Sequence, residues 1–179
     1  MNTTDSALPA PLPLAPWVGG KRNLARRLIA RIEAIPHTLY AEPFIGMGGV
    51  FLRRPRPARV EAINDKATDV ADLFRVGRRH PAALAEELSY QLISRAEFRR
   101  LLATPPGTLT DIERAARFLL LQRLGYGGQP GTTSFPARRH TADSLDASRL
   151  RRQSGELAQA MLELEAKAFA AASQPFNLN

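Results

Sequence analysis

Thr38-Leu39-Tyr40-Ala41-Glu42-Pro43-Phe44-Ile45-Gly46-Met47-Gly48-Gly49 is the stretch whose reading decides the fold. A short apolar run over 38–44 breaks into three closely spaced glycines, the pattern of a buried strand that ends in a tight turn. Val50 to Arg54 then begins a helix that Pro55 stops. A second apolar run, Arg59 to Ile63, leads into Asn64-Asp65, and helical spacing resumes over Asp69 to Arg79. Strand, glycine turn, helix, strand and acid in that order predict the start of an α/β unit with a parallel sheet.

Upstream, Lys21 to Ile35 reads as an amphipathic helix. Leu24, Leu28, Ile32 and Ile35 recur at helical spacing, with Arg22, Arg26, Arg27 and Arg31 on other faces, and Pro36 ends it. Residues 1–16 carry Pro9, Pro11, Pro13 and Pro16 with Asp5 and no basic residue. They read as a flexible, partly polyproline leader rather than a secretory signal. Downstream of His80 the pattern is helical throughout. Pro81 opens a helix over Ala82 to Tyr90, and Ser94 with Glu97 and Thr110 with Glu113 form capping-box spacings ahead of two more. Gly125 to Pro136 is a glycine-rich loop, and a last helix runs from Asp146 to Ala172. The expected organisation is a leader (1–16), a strand-bearing segment (17–80), a helical region (81–148) and a C-terminal helix with its tail (149–179). Two strands alone do not make a parallel-sheet core, so further strands are expected from elsewhere.

Composition narrows the function classes. The chain has 179 residues, enough for one domain with a sizeable core. It has no cysteine, which excludes disulfides, thiolate metal sites and cysteine catalysis. His37, His80 and His140 are scattered without metal-ligand spacing. No run approaches the roughly 20 apolar residues of a membrane span, and the expectation is a cytoplasmic protein. The net charge is +8, and 22 of the 25 basic residues are arginine. Such a surplus fits a polyanionic partner, and it equally fits the coding bias of a high-GC genome.

Two segments carry candidate chemistry. Glycines at the carboxyl end of a strand let a backbone approach a ligand closely, and an acid after the next strand can hold ribose hydroxyls. Asp65 stands 19 positions after Gly46, near the spacing of such a unit. A tight strand-to-helix turn needs the same glycines without any ligand. The other segment is Trp17-Val18-Gly19-Gly20-Lys21-Arg22. It is not a phosphate-binding P-loop, because Ala15 and Arg22 occupy the positions that need Gly and Ser or Thr. Its Trp17 can stack on a planar base or staple the following helix.

Read together, Trp17-x-Gly19-Gly20-Lys21, Glu42-Pro43-Phe44-x-Gly46-x-Gly48 and Asn64-Asp65-x-x-x-Asp69 resemble the Dam-type adenine-specific DNA methyltransferases. The resemblance runs from about Pro16 to Gly128 and is weak from Gln129 onward. It implies a partial Rossmann-like methyltransferase sheet with a helical insertion that meets DNA. It also implies that S-adenosylmethionine is held by Trp17, Lys21, Glu42, Phe44 and Asp65, with Gly46 and Gly48 shaping the turn beneath it. The segment Leu121-Gln122-Arg123-Leu124-Gly125-Tyr126-Gly127-Gly128 resembles the DNA-contacting part of related phage and prophage sequences. Arg123, Tyr126, Arg138 and Arg139 are thereby implied as contacts to double-stranded DNA in a bacterial or phage protein. Arg95, Arg99, Arg100, Arg114 and Arg117 fall in the same region, where phosphate contacts position a protein without reading sequence.

The family activates the exocyclic amine of adenine with an Asp-Pro-Pro-Tyr element, and none is present. Thr104-Pro105-Pro106-Gly107 has the prolines with the wrong flanks. Ser173-Gln174-Pro175-Phe176 has Gln174 in place of a proline and follows a helical run. No catalytic residue is therefore assigned. The chain reads as a truncated or frameshifted N-terminal fragment of such an enzyme, or as one half of a split enzyme whose catalytic half a separate chain would supply. A catalytically inert DNA- or nucleotide-binding module on the same scaffold is the alternative.

Overall fold

The computed structural model describes residues 13–91 and 94–125. Within them the chain forms five helices and one two-stranded parallel sheet, a mixed α/β arrangement. A 3-10 turn, Lys21–Asn23, leads into α1 (Ala25–Glu33). Strand β1 (Leu39–Glu42) follows, then the glycine turn and β2 (Val60–Ile63). Four helices complete the described chain: α2 (Thr68–Arg79), α3 (Pro81–Ser89), α4 (Arg95–Ala103) and α5 (Asp111–Leu124). The glycine-rich loop, the helix expected over 146–172 and the segment 149–179 lie outside the described residues.

The strand register is Leu39 with Val60, Tyr40 with Glu61, Ala41 with Ala62 and Glu42 with Ile63. Alternation therefore sorts the sheet into two faces. Tyr40, Glu42, Glu61 and Ile63 point inward, while Leu39, Ala41, Val60 and Ala62 make an apolar face that stays exposed. The helix expected at 50–54 is a single 3-10 turn, Phe51–Arg53. Pro55 and Pro57 follow at once, and proline has no N–H to extend a helical ladder.

Helix α5 is the centre of the packing, lying against α2, α3 and α4. Ala115, Ala116, Phe118, Leu119, Leu120 and Leu124 are all buried, which is how a helix apolar on most of its sides behaves. Leu73 and Phe74 from α2, Leu84 and Leu88 from α3, and Leu101 from α4 join it in one core, which also takes in Ile45 and Met47 of the glycine turn. The core thus runs across the junction at 80–81. It also begins before Trp17: Leu14 and Ala15, assigned by composition to the leader, are buried. The Leu14 N–H donates to the Met47 carbonyl at 3.1 Å, and its carbonyl accepts from Arg123 Nε at 2.8 Å.

Helix α1 is shorter than the helix expected over 21–35: a 3-10 turn takes up Lys21–Asn23, and Leu24 and Ile35 fall outside the α-helical residues. Those two are 53% and 64% exposed, Leu28 and Ile32 within the helix are half-buried, and only Ala25 of α1 is fully buried. Helix formation here depends on local spacing, whereas burial needs a facing surface that the described residues do not provide.

Candidate functional site

The site is built on the carboxyl ends of the two strands. The Asn64 N–H donates to the Glu42 carbonyl, and the Ile45 N–H donates to the Asn64 carbonyl, each at 3.0 Å, so the glycine turn folds back beside the end of β2. Asp65 then locks it. One carboxylate oxygen accepts from the Gly46 N–H at 2.8 Å and the other from the Ala67 N–H at 3.0 Å, at the start of α2. Each oxygen has two lone-pair directions, so the carboxylate can fix the turn and still accept from a hydroxyl.

Gly46 and Gly48 both hold positive φ, 52° and 75°, where glycine carries no steric cost. A Cβ on Gly46 would lie 2.9 Å from Trp17 Cδ1. The indole of the chain's one tryptophan therefore lies directly on this glycine. Its other ring contact is edge-on to Phe118 of α5, with centroids 6.3 Å apart. Trp17 thus stitches the N-terminal segment to the glycine turn and to α5.

Lys21 enters from the turn ahead of α1. Gly19 takes a φ of 73°, and the Gly20 N–H closes that turn on the Trp17 carbonyl at 3.0 Å. The Lys21 ammonium reaches the Phe44 carbonyl and lies 3.2 Å from Glu42 Oε1. Glu42 is buried, and its other oxygen accepts from the Tyr40 hydroxyl at 2.8 Å. Burial, reinforced by that bond, holds the Tyr40 phenol well above its ordinary range, so it stays protonated as a donor. Phe44 projects its ring outward, well exposed beside the turn. Trp17, Lys21, Glu42, Phe44, Gly46 and Asp65 are thus linked through direct contacts around one turn, with Gly48 beneath them against Leu52 and Phe74.

The helical candidates divide differently. Arg123 is half-buried, with its Nε donated to the Leu14 carbonyl. Tyr126, Arg138 and Arg139 lie outside the described residues. Several neighbouring arginines are engaged within the fold: Arg100 with Glu97, Arg114 with Asp111 and Asp72, and Arg117 with the Leu101 carbonyl. Thr104-Pro105-Pro106-Gly107 sits between α4 and α5, with Pro106–Thr108 in a 3-10 turn.

Sequence reasoning passed over Tyr40, Arg54 and Phe118. Arg54 is buried, paired to Glu61 at 2.8 Å and Glu33 at 3.6 Å, with its guanidinium 3.8 Å from the Tyr40 ring centroid. Arg54 and Phe118 are unmarked by spacing because partners such as Glu33 and Trp17 come from other elements, while Tyr40 stands two residues before Glu42 on β1, where alternation marks a shared face but not a bond. Among the described residues no group of His, Asp and Glu is placed to hold a metal, and no helix is long and apolar enough to cross a membrane.

No curated protein matches the chain. The family model of the D12 class N6 adenine-specific DNA methyltransferases matches residues 17–173, extending well past Gly128, where the motif resemblance thins. The match covers most of the chain, from the Trp17 element through the glycine turn and all the described helices, and this protein belongs to the D12 class N6 adenine-specific DNA methyltransferase family.

Proposed function

We propose that this chain provides the S-adenosylmethionine-binding part of an adenine-specific DNA methyltransferase, built on one edge of a Rossmann-like sheet. The observation that carries the reading is the joining of Trp17, Lys21, Gly46 and Asp65 around a single glycine turn. Bound there, S-adenosylmethionine supplies a methyl group activated by its sulfonium. The protein's part is to bind and orient. The Asp65 carboxylate, already braced by two backbone N–H groups, offers its remaining lone pairs to ribose hydroxyls. Gly46 keeps the turn low enough for close approach, and the exposed Phe44 ring offers a face for stacking on a planar base.

The helical region, 81–148, is the side that meets double-stranded DNA in this reading, with Arg123, Tyr126, Arg138 and Arg139 as candidate contacts. The amine-activating Asp-Pro-Pro-Tyr element is absent from these 179 residues, so in this reading the chemistry requires a complement to them. The sheet face of Leu39, Ala41, Val60 and Ala62, exposed among the described residues, supports that requirement. A catalytically inert binding module on the same scaffold is favoured by one fact, the missing element itself.

Calorimetry with S-adenosylmethionine tests the cofactor claim. Wild type is expected to give a saturable heat, and Asp65→Ala to weaken binding by at least about tenfold, as loss of charge-assisted hydrogen bonds does. Equal heats from both proteins, or none from either, sink the reading. Transfer of labelled methyl groups to adenine-containing duplex DNA by the 179-residue chain alone would overturn the need for a complement.

A further inference from the structure

Behind the Lys21 ammonium runs a chain of contacts that no motif accounts for. The buried Glu42 carboxylate faces Lys21 with one oxygen and accepts the Tyr40 hydroxyl with the other. The Tyr40 ring is itself fixed. It stacks on Phe51 at a centroid distance of 6.5 Å, and the Arg54 guanidinium sits over it. Arg54 is held in turn by Glu61, Glu33, the Arg56 carbonyl at 3.0 Å and His37 Nε2 at 3.3 Å. His37 donates its Nδ1–H to the Ile35 carbonyl, which leaves Nε2 as the acceptor. An anchored cation thus orients an aromatic ring, the ring's hydroxyl orients a carboxylate, and the carboxylate orients Lys21.

We propose that Tyr40 is a positioning residue of the candidate cofactor site, its hydroxyl setting the Glu42 carboxylate so that Lys21 is held against the Phe44 carbonyl. A lysine has a flexible four-carbon stem and a strongly hydrated head, so a single partner leaves it many rotamers. Glu42 restrains it only while Glu42 is itself restrained. With the hydroxyl gone, Oε2 is left buried without a donor, which is costly for a charged group. The carboxylate must then turn toward water, and the bridge that holds Lys21 to the glycine turn loosens. The consequence for ligand binding rests on the cofactor reading above, whereas the effect on Lys21 does not.

The test uses the full chain with Tyr40→Phe, which keeps the ring against Phe51 and Arg54 and removes only the hydroxyl. Acetylation of Lys21 by an activated ester, read by mass spectrometry against the exposed Lys66, is expected to speed up at least about threefold as the bridge loosens. Affinity for S-adenosylmethionine is expected to fall about five- to tenfold, the effect of one hydrogen bond to a charged group. In a Glu42→Gln background both changes should vanish, because the relay is already cut. Unchanged Lys21 acetylation, or a full additional effect on top of Glu42→Gln, overturns the proposal. So does loss of the folded circular-dichroism spectrum in Tyr40→Phe, which would make the residue structural. A wild type that binds no cofactor, with Lys21 still released in Tyr40→Phe, defeats the cofactor reading and leaves the positioning role standing.

Discussion

Gly46 and Gly48 share a left-handed backbone but face different surroundings, and substitution should separate them. At Gly46 an added methyl group meets the Trp17 indole, a side chain at the margin of the core. Gly46→Ala should cost about 1–2 kcal/mol for the backbone and push the ring away, shifting tryptophan emission to the red. At Gly48 the methyl group would stand 2.7 Å from Leu52 and 3.1 Å from Phe74, inside the core. Gly48→Ala should therefore cost more, about 2–4 kcal/mol, with native emission unchanged. Denaturant melts with fluorescence spectra check both, and the reverse pattern would show that Trp17 does not rest on Gly46. Residue identities at this site were legible in the sequence because they lie in short runs of fixed spacing. The partnerships were not: Asp65 reads as a ligand for ribose, yet two backbone N–H groups already occupy it. Tyr40 stands two residues before its partner Glu42 on β1, where strand alternation marks a shared face but not a bond, and Leu14 carries no local signal because its partners Met47 and Arg123 arrive from other segments.

At the scale of elements, local chemistry was the better guide. Thr110 caps α5 as its spacing predicts, and both arms of the box close: its hydroxyl accepts from the Glu113 N–H, while Glu113 accepts from the Thr110 N–H at 2.8 Å. At α4 only half of the box forms. Ser94 accepts from the Glu97 N–H, but the Glu97 carboxylate turns to Arg100. Thr110→Ala should cost about 1 kcal/mol, the usual loss of a cap, measured as a lower denaturation midpoint. The pH dependence follows from the same contacts. Backbone and hydroxyl donation from Thr110 lowers the Glu113 pKa, and Arg100 lowers that of Glu97. Each folded-state value lies below the ordinary 4.5. The stabilisation is therefore present above that pH and is lost as pH falls below it and through the folded values. Melting temperatures recorded from neutral pH downward should drop on the acid side, with a shallower drop in Thr110→Ala. An identical acid slope in both proteins would show that the box does not contribute. Helix α1 marks where this local legibility stops, since its spacing states which side is apolar but not what covers it.

At the scale of the whole molecule, the consequence among the described residues is an exposed seam. Leu39 and Val60 are register partners, 57% and 51% exposed, and Ala41 and Ala62 extend the same face toward the glycine turn. Among the described residues β1 has a pairing partner on one side only. An apolar sheet face next to an open strand edge is a surface that finds a partner, either a complementary chain or another copy. At micromolar concentrations the isolated chain should therefore sediment as species heavier than its 19.7 kDa monomer and bind an apolar dye. Leu39→Lys with Val60→Lys should return it to the monomer and abolish dye binding. Because both side chains are more than half exposed, the pair should change stability by no more than about 1 kcal/mol. The charges should also weaken assembly with any partner that covers this face, since a covered face cannot readily bury two ammonium groups. A wild type that is monomeric and silent to the dye would mean that the chain covers this face itself.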